Sequence, residues 1–130
     1  MSKKLPNYQE KQHMLYVKRH SDKDLIAHGD AFLEEGKISD AIDFYQKANY
    51  VQGLEKIKGI AELSGDVMIL QQVLKPLKQS VSDEVWKAIG ERALEFKKYL
   101  FALRAFEKSN NTDMVARVNE IIKSEEDSKH

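Results

Sequence analysis

Residues 25–48 read LIAHGDAFLEEGKISDAIDFYQKA, and residues 86–109, which start 61 positions further along the chain, repeat the pattern without a gap as WKAIGERALEFKKYLFALRAFEKS. In both stretches a glycine is followed 12 residues later by an alanine, and an aromatic residue comes four residues after that alanine. These positions are Gly29, Ala41 and Tyr45 in the first stretch and Gly90, Ala102 and Phe106 in the second. Because apolar residues recur every three or four positions, each stretch predicts a hairpin of two amphipathic α-helices.

The repeated glycines indicate how the two helices of each hairpin pack. A glycine inside a helix costs about 1 kcal/mol relative to alanine, so a glycine at the same position of both copies needs a packing reason. Antiparallel helices approach closely where the facing residues are small. We therefore expect Gly29 to face Ala41 and Gly90 to face Ala102, with the large aromatic side chains one turn further along filling the wider gap.

Helical periodicity covers most of the chain, and strict alternation of apolar and polar residues never lasts more than a few positions. Short segments rich in glycine, serine, asparagine and aspartate separate the periodic blocks, and these residues suit helix ends. Helices joined by such short loops pack as antiparallel neighbours, so we predict an all-α chain of stacked hairpins. The predicted helices cover 7–19, 22–35, 38–50, 52–63, 66–78, 82–95, 98–109 and 112–125.

The composition bounds the class of protein. The chain has 130 residues, of which 42% are hydrophobic and 32% charged, as expected for one globular domain. It contains no cysteine, which excludes disulfides, thiolate metal sites and cysteine nucleophiles. The 21 basic and 21 acidic residues give a formal net charge of zero at pH 7. The longest apolar run, Tyr99–Leu103, is too short to span a membrane. We expect a cytoplasmic protein without a cofactor and without a membrane partner.

The two aligned stretches resemble the tetratricopeptide repeat, whose pattern is W-x2-L-G-x2-Y followed by A-x3-F and a proline. Gly53 and Met114 stand where that proline is usual. The middle hairpin is short and fits the pattern poorly, and it is similar to the irregular hairpins of coat-protein and intraflagellar-transport solenoids. The resemblance implies a right-handed α-solenoid of stacked hairpins with about seven or eight helices.

The repeat pattern also divides the chain, which we interpret as one domain spanning 1–130. Stacked repeats need end helices with a polar outer face, and the two ends of the chain suit that role. The predicted segments are a basic N-terminal helix (1–20), a first repeat (21–50), an irregular second repeat (51–79), a third repeat (82–111), a capping helix (112–125) and a charged tail (126–130).

The resemblance further implies a binding surface. Repeats of this kind usually present the inner surface of their first helices to an extended peptide or a partner helix. The implied protein-binding residues are Lys23, Ile26, Asp30, Leu33, Lys56, Lys87, Glu91 and Leu94. Some family members clamp a C-terminal carboxylate with basic and amide side chains, but Ile26 and Asp30 stand at two of those positions, so we do not expect that ligand.

These features predict a non-enzymatic adaptor or scaffold that binds a protein or peptide. No residues suggest a nucleophile with a nearby base, and the adjacent pair Glu34–Glu35 cannot share one helix face. Association of identical chains through an incompletely capped terminal hairpin is a further expectation. An accessory subunit of a larger complex, with no ligand of its own, is an alternative.

A second alternative is nucleic-acid association through the N-terminal helix. The first 20 residues carry five basic side chains against Glu10 alone, and tyrosines lie between them. The basic residues are Lys3, Lys4, Lys11, Lys18 and Arg19. We favour a simpler interpretation, in which Leu15 and Tyr16 pack this helix onto the first hairpin.

The histidines do not predict a metal site. His13 and His20 are seven residues apart, whereas helical zinc ligands are expected at a spacing of four. His28 occupies a position that is apolar in the repeat, so we expect a partly buried structural residue there. His130 is terminal.

Overall fold

The computed structural model describes residues 5–17 and 20–128, which form eight α-helices and contain no strand. A π-helical turn, His13–Val17, follows the first helix directly. The α-helices are α1 Tyr8–Gln12, α2 Asp22–Glu34, α3 Ile38–Lys47, α4 Val51–Ser64, α5 Val67–Leu77, α6 Asp83–Glu95, α7 Tyr99–Lys108 and α8 Thr112–Ser128. The all-α prediction is therefore confirmed, and most helix ends lie within two residues of the predicted positions.

Polar side chains fix where several helices begin. The Ser21 hydroxyl accepts a hydrogen bond from the Asp24 backbone N–H at 3.2 Å, and Ser82 does the same for α6. The Asp66 carboxylate accepts from the Ile69 backbone N–H at 3.0 Å at the start of α5. These caps satisfy backbone donors that the first helical turn leaves unpaired. The helix α8 is capped by Asn111, so its predicted start at Thr112 is confirmed.

The helices form three hairpins, which stack on one another. The pairs are α2 with α3, α4 with α5, and α6 with α7. The second hairpin packs on the first through contacts of α3 with both α4 and α5, and on the third through contacts of α4 with α6 and of α5 with α7. The last helix, α8, packs on α7. This arrangement confirms a stack of antiparallel helical hairpins.

The internal repeat holds at the level of individual backbone angles. The bounds of α2 and α3 recur in α6 and α7 at the same 61-residue spacing, and α8 begins 61 residues after α4. Lys37 and Lys98, which precede α3 and α7, have φ and ψ of −90° and 72° and of −90° and 71°. Asn49 and Asn110 both adopt the left-handed conformation, with φ of 53° and 57°. Thus α6, α7 and α8 repeat α2, α3 and α4.

The repeated glycines pack against aromatic rings and not primarily against alanines. A Cβ added to Gly29 would lie 2.5 Å from Cε1 of Tyr45, and a Cβ added to Gly90 would lie 2.7 Å from Cε1 of Phe106. In both cases the three nearest atoms belong to the ring. The prediction that each glycine serves close packing is confirmed, and the nearest neighbours of the glycines are the aromatic rings and not the predicted Ala41 and Ala102. These alanines are fully buried in the core.

A second kind of close contact joins the second hairpin to the third. Gly65 ends α4 with φ of +70°, and a Cβ there would lie 2.8 Å from the backbone nitrogen of Ala93 in α6. The Lys98 ammonium donates a hydrogen bond of 2.9 Å to the carbonyl oxygen of Ser64. The C-terminal end of α4 is therefore held against α6 and against the start of α7.

The two ends of the chain differ from the prediction. The capping helix continues to Ser128, so residues 126–128 of the predicted tail are helical. No glycine or proline interrupts this segment, and glutamate is a good helix former. At the other end Leu15 is buried as predicted, whereas Tyr16 is exposed. Residues 1–4, 18, 19, 129 and 130 lie outside the described residues.

Candidate functional site

A cleft of about 710 Å³ opens between α2 and α4. Its base is formed by the rings of Tyr45 and Tyr50, which meet edge to face with centroids 5.4 Å apart. The other lining residues come from α2, α4, the turn between α2 and α3 and the start of α3, namely Asp30, Leu33, Glu34, Gly36, Ile38, Gln52, Gly53, Lys56 and Ile60. An apolar base with charged residues around it is the usual composition of a binding cleft.

Tyr45 is the central residue of this cleft, and its ring is held from both sides. Besides the contact with Gly29 in α2, a Cβ added to Gly53 in α4 would lie 2.7 Å from the Tyr45 ring. The ring is therefore wedged between two helices at points where neither has a side chain. Tyr45 is 1% exposed, so its position is determined by the core and needs no ligand.

The Tyr45 hydroxyl orients a charged residue at the opening of the cleft. It donates a hydrogen bond of 2.5 Å to Oδ1 of Asp30. Burial of the ring, together with this hydrogen bond and the charge of Asp30, raises the pKa of Tyr45. The hydroxyl therefore remains a donor at neutral pH and holds the Asp30 carboxylate in place. The second oxygen of Asp30 is available to a ligand donor, because a carboxylate has several acceptor sites.

The structure gathers three of the eight implied binding residues in one place. Asp30, Leu33 and Lys56 all line the cleft, and the first and third are exposed. Their convergence brings an acidic, an apolar and a basic side chain together across the gap between α2 and α4.

The remaining five implied residues lie elsewhere. Lys87 and Glu91 are exposed on α6, outside this cleft, and Lys23 is exposed in the first turn of α2. Ile26 and Leu94 are half-buried and pack against core residues. Their apolar side chains thus help to hold the hairpins together.

Sequence reasoning missed the residues that form the base of the cleft. The repeat pattern assigns Tyr45 only to the gap between the packed helices, and it marks Gly53 only as the residue in place of a proline. The sequence feature that could identify them is a pair of glycines, Gly29 and Gly53, in the helices before and after the helix that carries Tyr45. Tyr50 carried no such signal, since it lies in a turn between helices.

The N-terminal segment is attached to the first hairpin by the buried Lys11 side chain, which forms two ion pairs with half-exposed aspartates of α3. The Lys11 ammonium lies 2.6 Å from Oδ1 of Asp40 and 2.7 Å from Oδ2 of Asp43, and Lys11 is 7% exposed. Burial lowers the pKa of Lys11, but the hydrogen bonds and charges of the two aspartates outweigh it, so the pKa is raised above 10.5. One of the five basic residues proposed to contact phosphate is therefore already paired within the protein.

Replacing Lys11 with methionine is expected to lower the free energy of unfolding by about 1 kcal/mol, because both aspartates lose their partner but stay partly in water. Hydrogen exchange should accelerate across residues 8–17. Since the pKa of Lys11 is raised above 10.5, this stabilisation is full at neutral pH and is lost as the pH rises through the raised pKa. The matched control is Lys47→Met, at an exposed position of the same α3 helix. Equal exchange rates in both variants would contradict the assignment.

The described histidines form no metal centre. Within residues 5–17 and 20–128, no three histidine, aspartate or glutamate side chains are placed to hold a metal ion. His28 is half-buried, with its ring 5.7 Å from that of Phe44, so the prediction of a structural histidine is confirmed. His130 lies outside the described residues.

The fold and the cleft define a small all-helical protein built from stacked hairpins. No protein-family model matches the chain, and comparisons with curated proteins and with solved structures also find no match. None of the helices in the described part of the chain has both the length and the apolar character needed to cross a membrane.

Proposed function

We propose that this protein is a non-enzymatic adaptor of the tetratricopeptide-like class, and that it binds a peptide or a helix of a protein partner in the cleft between α2 and α4. The observation that carries the proposal is the convergence of Asp30, Leu33 and Lys56 over the Tyr45 ring. The repeat pattern implies the same three residues as binding residues.

The base of the cleft supports recognition by a preformed surface. Tyr45 is fixed by Gly29 and Gly53, and its hydroxyl fixes Asp30. A partner that binds such a surface loses only its own conformational freedom, since the cleft residues are already ordered. Tyr50, which is half-buried, presents the aromatic surface at the base that a partner can contact, and such residues are common at protein interfaces.

The charges around the cleft indicate the chemistry of the partner segment. Asp30 and Glu34 lie on α2, and Lys56 lies on α4. A segment with an apolar side chain directed at Leu33 and the tyrosine rings, a basic residue beside α2 and an acidic residue beside α4 would complement this pattern. Such complementary charges contribute mainly to the choice of partner and to its orientation.

The test is affinity capture of partners from a lysate of the cells that produce the protein, with the captured proteins identified by mass spectrometry. We expect Lys56→Glu to weaken the binding of the specific partner by about tenfold or more, because it places a third negative charge at the cleft. Lys87→Glu makes the same charge change at an exposed position outside the cleft, and we expect unchanged binding.

The two variants distinguish three outcomes. Loss of binding only in Lys56→Glu supports the α2–α4 cleft as the site. Loss of binding in both variants would indicate that the site extends along the first helices of the hairpins, from α2 to α6, as the repeat pattern alone implies. Binding that is unchanged in both would overturn the proposal, provided that circular dichroism confirms that both variants are folded.

A further inference from the structure

The α3–α4 pair of the first copy and the α7–α8 pair of the second copy differ, within the described residues, in what packs on them. In the first copy α4 is followed by α5, which packs on both α3 and α4. The corresponding helices of the second copy are α7 and α8, and within the described residues no helix packs on them in the position of α5. The packing of α5 on α3 and α4 therefore shows how a helix binds to a surface of this kind.

Burial of equivalent residues marks the surface that α5 leaves uncovered. In the first copy three positions on α3 and α4 are buried, and their counterparts 61 residues later are only half-buried. The pairs are Ile42 and Leu103, Leu54 and Val115, and Ala61 and Ile122. The α7–α8 face is thus apolar at the positions that its counterpart keeps from water.

A groove of about 630 Å³ lies on this face, and its edges are oppositely charged. Leu100, which is 72% exposed, and Ile122 line it. Lys97 lies on the α7 side, and Glu125 and Glu126 lie on the α8 side. None of these three charged side chains forms an ion pair with another described residue. An exposed leucine between unpaired charges is a suitable centre for an interface.

We propose that the α7–α8 face binds an amphipathic helix of a partner protein, which lies antiparallel to α8 in the position that α5 occupies on α4. In that position the N-terminal end of the bound helix is next to Glu125 and Glu126, since their counterparts Ser64 and Gly65 come just before the N-cap residue of α5. Negative charges stabilise the N-terminal end of a helix, so this direction is electrostatically favourable.

The sequence of α5 indicates which helix fits. Its buried residues Val67, Leu70, Val73 and Leu74 have the three- and four-residue spacing of a helix that binds in a groove. The partner helix must differ from α5 at one position. Gln72 of α5 accepts a hydrogen bond of 2.9 Å from the Ser39 hydroxyl, and the counterpart of Ser39 is Leu100. The partner helix therefore carries an apolar residue at the position of Gln72, and an acidic residue near Lys97.

The experiment titrates the full chain with a synthetic peptide of residues 65–79 that carries Gln72→Leu, and follows backbone amide shifts by NMR. We expect shifts confined to 97–103 and 115–126. The peptide should bind about tenfold more tightly than one that keeps Gln72, since burying a leucine against Leu100 contributes roughly that factor. A peptide with Leu70→Glu and Val73→Glu should not bind.

Protein variants decide whether the groove is the site. Leu100→Glu should abolish the shifts, whereas Met68→Glu, at a position 67% exposed on α5, should leave them unchanged. Lys56→Glu should also leave them unchanged, which separates this site from the α2–α4 cleft. Absence of shifts, or shifts in α3 and α4, would overturn the proposal. Sedimentation equilibrium provides a second test, because a wild-type dimer that Leu100→Glu dissociates would assign the face to a second copy instead.

Discussion

Replacing Gly65 with alanine is expected to lower the free energy of unfolding by about 3 kcal/mol, because two costs coincide at this residue. Gly65 has φ of +70°, a conformation that alanine adopts only with strain. The new Cβ would also lie 2.8 Å from the Ala93 nitrogen and 2.9 Å from the Ala93 Cα. These are backbone atoms of α6, so they cannot rotate away, and the contact must open. Urea denaturation followed by circular dichroism measures the effect.

Gly36→Ala is the matched control for this prediction. Gly36 also ends a helix with a positive φ, of +77°, but no atom lies within 4 Å of the position of its added Cβ. Gly36→Ala is therefore expected to lower the free energy of unfolding by about 1 kcal/mol, the conformational cost alone. If the two variants were equally destabilised, the close contact between α4 and α6 would not contribute, and the way the second hairpin joins the third would need revision.

The helices could be predicted from the sequence because their ends depend on local chemistry. Ser21, Asp66 and Ser82 cap the helices that follow them, and a capping side chain acts only on the next few residues. The 61-residue repeat also helps, because the helix ends predicted in one copy predict the helix ends of the other copy. The continuation of α8 to Ser128 escaped prediction because charge alone does not end a helix.

Contacts between distant residues were harder to predict. Tyr45 and Ala41 lie one turn apart on α3, and which of them meets Gly29 depends on the angle between α2 and α3. Nothing in the spacing specifies that angle. Similarly, Lys11 pairs with Asp40 and Asp43 about 30 residues away, and no local pattern in the sequence indicates this pairing.

The candidate site could be predicted only in part for the same reason. Asp30, Leu33 and Lys56 meet because α2 and α4 both pack on the Tyr45 ring, which is a property of two hairpins together. A pattern that treats each repeat separately places Glu91 and Asp30 in equivalent roles. Of these two residues, only Asp30 lies beside the cleft with the aromatic base.

The second large effect concerns the two glycines that flank Tyr45. Gly53→Ala is expected to lower the free energy of unfolding by about 2 kcal/mol, and Gly29→Ala by at least as much, because overpacking outweighs the gain in helix propensity. The added Cβ would lie 2.7 Å from the Tyr45 ring in the first variant and 2.5 Å in the second. The ring cannot move away from one glycine without moving towards the other, so the strain cannot relax by rotation of the side chain.

Gly59→Ala provides a control of opposite sign in the same helix as Gly53. No atom lies within 4 Å of its added Cβ, so the substitution should stabilise the protein by about 0.5–1 kcal/mol through helix propensity alone. Thermal unfolding of the three variants would measure the difference. If Gly53→Ala were as stabilising as Gly59→Ala, the Tyr45 ring would not lie between α2 and α4. The cleft would then lose its fixed base, and the proposed binding of a partner through Asp30 would lose its structural support.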